Sequence, residues 1–168
     1  VRVAASYNLV KPDGSFTGET KTLQTSMGNA DVFIVDVFKD KGSSGRSAAF
    51  TFMTSGIFAE HPMNPTDSNS GGWKSSGMRS WLNGEVLQSF PDEMRSGVMT
   101  VSKLSNNAGK TTSPASVTET QDSVWLFSWV ECLGPIAWNA RSNQSYIDTV
   151  DNKEGSQYAW FKQQGVAG

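Results

Sequence analysis

The stretch Gly71-Gly72-Trp73-Lys74-Ser75-Ser76-Gly77-Met78-Arg79-Ser80-Trp81-Leu82-Asn83-Gly84 decides the fold, because it holds the densest local structural instruction in the chain. Gly71 and Gly72 free the backbone, and Ser75 or Ser76 can cap a helix by accepting from an otherwise unpartnered amide. Met78, Trp81 and Leu82 then fall at i, i+3 and i+4, one face of a helix. Arg79 projects beside that face, and Gly84 is placed to end the helix in the left-handed region. The pattern predicts a short buried helix in which Met78, Arg79, Trp81 and Leu82 anchor a core. It is not a catalytic motif.

Upstream of this helix, residues 1–54 read as hairpins. Lys11-Pro12-Asp13-Gly14 is a turn, since proline sets φ and glycine permits positive φ. It joins an edge strand over residues 2–9 to an arm holding Phe16, Thr20, Thr22 and Gln24, a hairpin spanning residues 1–23. Residues 31–38 (Asp-Val-Phe-Ile-Val-Asp-Val-Phe) are the strongest strand, with the nearly unbroken apolar run of a strand covered on both faces. Residues 48–54 alternate Phe50 and Phe52 with Thr51 and Met53 and pair with it.

Residues 55–104 form a loop-and-helix core. The loop 55–70 carries His61, the chain's one histidine. After the anchor helix, Pro91 opens a second helix whose Asp92 and Glu93 suit its first turn. Residues 99–104 read as a half-buried strand, and 105–121 as a polar, exposed loop.

The remainder, 122–168, is a strand-and-helix core. Residues 124–127 suggest a short buried strand containing Trp125. Ser128 and Glu131 match a capping box, which Gly134-Pro135 soon terminates. Residues 141–153 read as loop and 154–164 as a helix presenting Tyr158 and Phe161, closed by Gly165. Short helices interspersed with short strands make the class α+β in a single domain over 1–168.

Composition narrows the function. The chain has 168 residues, a formal charge of −2 and no run of basic residues, so it lacks the electrostatic footprint of a nucleic-acid binder. No apolar run approaches the roughly 20 residues that span a bilayer, so no membrane insertion is expected. A single cysteine excludes an internal disulfide framework.

Candidate chemistry is sparse. His61 and Cys132 are the possible base and nucleophile, but a proline-rich loop and a capped turn explain them better. Asn64, Asp67 and Asn69 are weak candidates for calcium, against the plainer account of a loop bonding to itself. No other cofactor is implied. Asp36, Asp40, Asp92, Glu93 and Glu131 form no acid–base pair at a recognisable spacing. Of the six tryptophans, Trp73 beside glycines and Trp138 in a polar loop are the candidates for an exposed ligand platform. Trp81 and Trp125 belong to the core.

The ordered blocks GGW-x-S-S-x-MR-x-WLN, FPDEMRSGVM, TQDSVWLFSWVECLG and EGSQYAWFKQQG resemble, over residues 20–165, a domain-of-unknown-function family. That family occurs in secreted or surface proteins of Gram-positive bacteria and in their prophages. The resemblance implies a fold distantly like the C-type lectins and a location outside the cell, at its surface or on a virion. Such relatives continue into a Trp-Trp-Leu-Arg-Ser-Pro block and closing strands that this sequence does not contain. The expectation that follows is a sheet incomplete at the C-terminal side, with a partner chain or a further segment supplying the missing strands.

Three functions are therefore weighed. A non-catalytic surface adhesion module for a glycan or protein leads, a phage virion or fibre decoration protein comes second, and an enzyme is third because no competent constellation is visible.

Overall fold

Phe33, Ile34 and Val35 are buried side by side. Successive strand residues face opposite sides of a sheet, so three buried in a row require cover on both faces. They belong to β2 (Gly28–Val37), which lies between β1 (Lys21–Thr25) and β3 (Phe50–Thr54) in an antiparallel sheet. The computed structural model describes residues 8–108, 111, 113–135 and 150–167, and their short helices and two antiparallel sheets make the chain α+β.

The most apolar strand is thus central. β1 and β3 occupy both of its edges. The turn of the first hairpin and its second arm are among the described residues. Val10 and Phe16 bridge across the Lys11–Gly14 turn, where Gly14 N–H donates to Lys11 O at 2.9 Å. Residues 21–25 pair forward with β2. A tight turn at Ser26-Met27 makes this possible, with Thr25 opposite Gly28 and Gly28 at φ 121°. Residues 1–7 lie outside the described residues.

The second sheet pairs β4 (Val101–Asn106) with β5 (Val117–Asp122) in unbroken antiparallel register. β5 corrects the expected polar loop at 105–121. Its sequence Val-Thr-Glu-Thr-Gln-Asp looks like a loop because even its buried positions, Thr120 and Asp122, are polar. Conversely, residues 124–127 are not a strand, and Leu126 is exposed.

The anchor helix α1 begins at Gly77–Trp81, where Ser76 Oγ accepts from Arg79 N–H at 3.0 Å. It does not stop at Gly84. A π-type turn, Leu82–Val86, carries it into Leu87–Ser89, and Leu82 and Val86 are both buried. Phe90, which precedes Pro91 and is held in an extended conformation (ψ 146°), ends it instead. Short helices follow: α2 (Asp92–Arg95), α3 (Trp129–Leu133) and α4 (Ala159–Gln163). Ser128 and Glu131 form the expected capping box on α3. α4 starts later than expected because Gly155 sits at a positive φ (134°), outside helical backbone, and Tyr158 (ψ 143°) is extended.

Two apolar clusters hold the sheet. Ile34 packs with Val10 and Phe16, while Phe33 and Val35 pack with Tyr158 and Phe161. α4 is drawn onto β2 by the Ala159 N–H, which donates to Asp36 Oδ2 at 2.9 Å. Tyr158 is fully buried and sits where the two sheets meet.

Candidate functional site

The Gly71–Gly84 stretch works as a clamp on the β4–β5 hairpin. Asp122 is fully buried and receives Arg79 Nε at 2.6 Å, Thr120 Oγ1 at 2.6 Å and Trp73 Nε1 at 3.0 Å. Asn83 completes it: its Oδ1 accepts from the amides of Ser123 (2.7 Å) and Val124 (3.2 Å), and its Nδ2 donates to Val124 O (2.8 Å). Gly72 sits at φ 53°, and a Cβ there would lie 1.9 Å from Asn106 O, so only glycine allows this approach. Trp73 is half-buried, with its indole N–H committed to Asp122.

A second buried polar group lies between the sheets. Lys103 sits two residues after Val101 on β4, and both side chains point inward. Its Nζ donates to Asp40 Oδ1 at 3.0 Å, to Tyr158 Oη at 2.8 Å and, in a very close contact, to Glu131 Oε1. Asp40 Oδ2 also receives Thr51 Oγ1 at 2.5 Å, and Tyr158 Oη lies 3.1 Å from each Asp40 oxygen. Glu131 Oε2 accepts the Ser128 amide at 3.0 Å, so the capping box aims Oε1 at the lysine. The Trp125 ring lies 4.5 Å from Nζ. Burial, followed by the charges of Glu131 and Asp40, pushes the Tyr158 phenol far up, so it remains a proton donor.

Asp40 and Glu131 are far apart in sequence, and nothing in their spacing announces the pairing. The legible signal was Lys103 itself, a lysine in phase with Val101 on a half-buried strand.

Apart from Asp40, both polar groups fall within residues 49–167, and that span matches the family described as "Domain of unknown function (DUF6273)". The chain belongs to the DUF6273 family. No curated protein and no solved structure matches it. The DUF6273 match begins one residue before β3, so β1 and β2 precede it.

In this DUF6273 chain a cleft of about 970 Å³ runs along β3. All five β3 residues line it, together with Met78 and Trp81 of α1 and residues 124–127. Phe38, Phe52, Ile57 and Leu126 line it while remaining 53%, 44%, 87% and 48% exposed. Trp81 is half-buried here, stacked on His61 at 4.7 Å, whereas Leu82 is buried.

The remaining candidates separate. Cys132 packs against the Phe33–Tyr158 cluster, and burial, with Glu131 adding, pushes its thiol up, away from a reactive thiolate. His61 is occupied by Trp81 and by Pro62 O at 2.7 Å. Asn64 spans its loop, with Oδ1 accepting from Gly77 N–H (3.0 Å) and Nδ2 donating to Ser68 O (2.6 Å). Asp67 and Asn69 are exposed beside it. Among the described residues no three His, Cys, Asp or Glu side chains converge as metal ligands. None of the helices described is long and apolar enough to cross a membrane. Trp138 lies outside the described residues.

Proposed function

We propose that this domain is a non-catalytic binding module for protein, and that the cleft along β3 is its receptor surface. The observation that carries this reading is the apolar wall that stays wet: Phe38, Phe52, Ile57 and Leu126 surround a single concavity. Isolated exposed apolar side chains are ordinary, whereas a grouped set marks a binding surface. β3 adds direction. Among the described residues its backbone bonds within a sheet are made to β2 alone, so its outer edge is free to take another strand. An extended segment added there would place alternate side chains against the cleft. That segment belongs to a partner polypeptide or to further chain, as the resemblance implies.

A protein ligand is favoured over a glycan because Trp73 is committed to the clamp and the most exposed part of the cleft wall is Phe38, Phe52, Ile57 and Leu126. Display at a cell surface, in a secreted protein or on a virion is the setting that suits such a module.

Selection from a displayed library of random peptides tests the reading. Peptides with alternating apolar residues should be recovered by the wild-type chain and lost by Phe52→Asp, a change at an exposed position that leaves the fold intact. Recovery of no peptide, or equal recovery by both chains, would count against it, as would strong retention on a glycan array.

A further inference from the structure

We propose that Lys103 and Asp40 become joined by an amide bond between Nζ and Cγ, with Glu131 carrying the protons. The inference is independent of the binding role proposed above.

Three features of the buried group point to it. The first is proximity: Nζ is in hydrogen-bond contact with Asp40 Oδ1 at 3.0 Å, one covalent bond from Cγ, the atom it would attack. The second is polarisation. Thr51 Oγ1 is 2.5 Å from Asp40 Oδ2 and Tyr158 Oη is 3.1 Å from it, so two hydroxyls stand where an oxyanion would develop. The third is a proton carrier in place. Glu131 Oε2 is tied to the Ser128 amide, which leaves Oε1 in contact with Nζ.

The surroundings favour reaction over a lasting ion pair. Asp40, Lys103 and Glu131 are 6%, 6% and 3% exposed, and Trp125 and Tyr158 lie against the lysine head group. Two carboxylates face one ammonium there, and holding such charges out of water is costly. The same dryness protects an amide from hydrolysis.

The step balances without a cofactor or oxidant. A proton passes from Nζ to Asp40 Oδ1, leaving a free amine and a carboxylic acid. The Nζ lone pair attacks Cγ, and the carbonyl electron pair moves onto Oδ2, held by Thr51 and Tyr158. Glu131 takes a second proton from Nζ and delivers it to Oδ1. The Cγ–Oδ1 bond breaks, water departs, and the Oδ2 pair returns to form the amide carbonyl. One ammonium and one carboxylate become one amide and one water, and Glu131 is restored. The bond would join residues 63 positions apart and tie the segment after β2 to β4.

Intact-mass measurement on the full chain, unfolded in denaturant, tests the proposal. The wild type is expected to be one water lighter than its sequence, and tryptic digestion should yield a branched peptide linking Asp40 to Lys103. Glu131→Gln keeps a capping side chain and should restore the full sequence mass with an unchanged circular dichroism spectrum. Asp40→Asn should still close, losing ammonia instead of water. A wild-type chain at full sequence mass overturns the proposal outright. A Glu131→Gln chain that still loses water overturns the role given to Glu131.

Discussion

At the scale of the residue, Asp122 is the position whose loss should be felt most. It is fully buried and accepts from Arg79, Trp73, Thr120 and Asn83. Asp122→Ala leaves a guanidinium and an indole N–H without their acceptor, and should cost about 3–5 kcal/mol, as breaking a buried ion pair does. Urea titration of the variant checks this, and a near-neutral shift would show the clamp to be incidental. Glu154 offers a subtler readout. Burial pushes its carboxyl up from the ordinary 4.5, against the lowering effect of the Asn106 amide 2.5 Å away. The folded state therefore holds this proton to higher pH than the unfolded state does. Stability falls as pH rises from 4.5 through the folded value. Glu154→Gln should remove part of that fall, matching the wild type at the acid end of the window and exceeding it at the upper end. Parallel pH profiles for the two chains would assign the loss elsewhere, Asp151 being next because burial raises it too. These roles were unevenly legible in the sequence. Arg79 stood out beside its helix, but its acceptor lay in a segment that reads as loop, and Asp40 and Glu131 meet only through the fold.

At the scale of the element, local signals served well wherever one residue sets the backbone. Ser76, Ser128, Glu131, Pro91 and Gly165 all act at helix ends or turns, as their chemistry requires. Gly84 misled because glycine permits an ending without compelling one, and the buried Val86 pulls α1 onward through its wide turn. β5 was hidden for a different reason: its inward residues serve polar partners, so no apolar alternation betrays it. Ser76→Ala tests the start of α1. The hydroxyl accepts from Arg79 N–H and donates to Trp73 O at 2.9 Å, so its loss should destabilise the chain by about 1 kcal/mol, read as a lower melting temperature. Gly72→Ala should do far more, since its methyl group would collide with backbone at Asn106. Little soluble folded protein is the expected result, checked by expression and circular dichroism. A normally folded Gly72→Ala chain would mean that this approach relaxes freely.

At the scale of the whole molecule, the family match and the folding unit do not coincide. The match starts at residue 49, yet β2 supplies Phe33 and Val35 to the cluster around Tyr158 and Phe161. Asp36 holds the start of α4, and Lys39 Nζ donates to the carbonyls of Ser156 (2.6 Å) and Gln157 (2.8 Å). A piece comprising residues 49–168 alone would leave β3 without its partner and Tyr158 without half its cover. It should show no cooperative thermal transition, whereas the full chain should show one. A sharp transition in the shorter piece would reveal β1 and β2 as an accessory layer.

Phe16 and Gln163 give the molecule a further property. Although 147 positions apart, they exchange two hydrogen bonds, Phe16 N–H to Gln163 Oε1 at 2.8 Å and Gln163 Nε2 to Phe16 O at 2.9 Å. Tension applied between residues 8 and 167 would therefore load this pair together with its neighbours, the Val10–Phe16 bridge and the bond from Gln157 Nε2 to Val166 O. The two ends of the described chain thus resist being drawn apart as one seam.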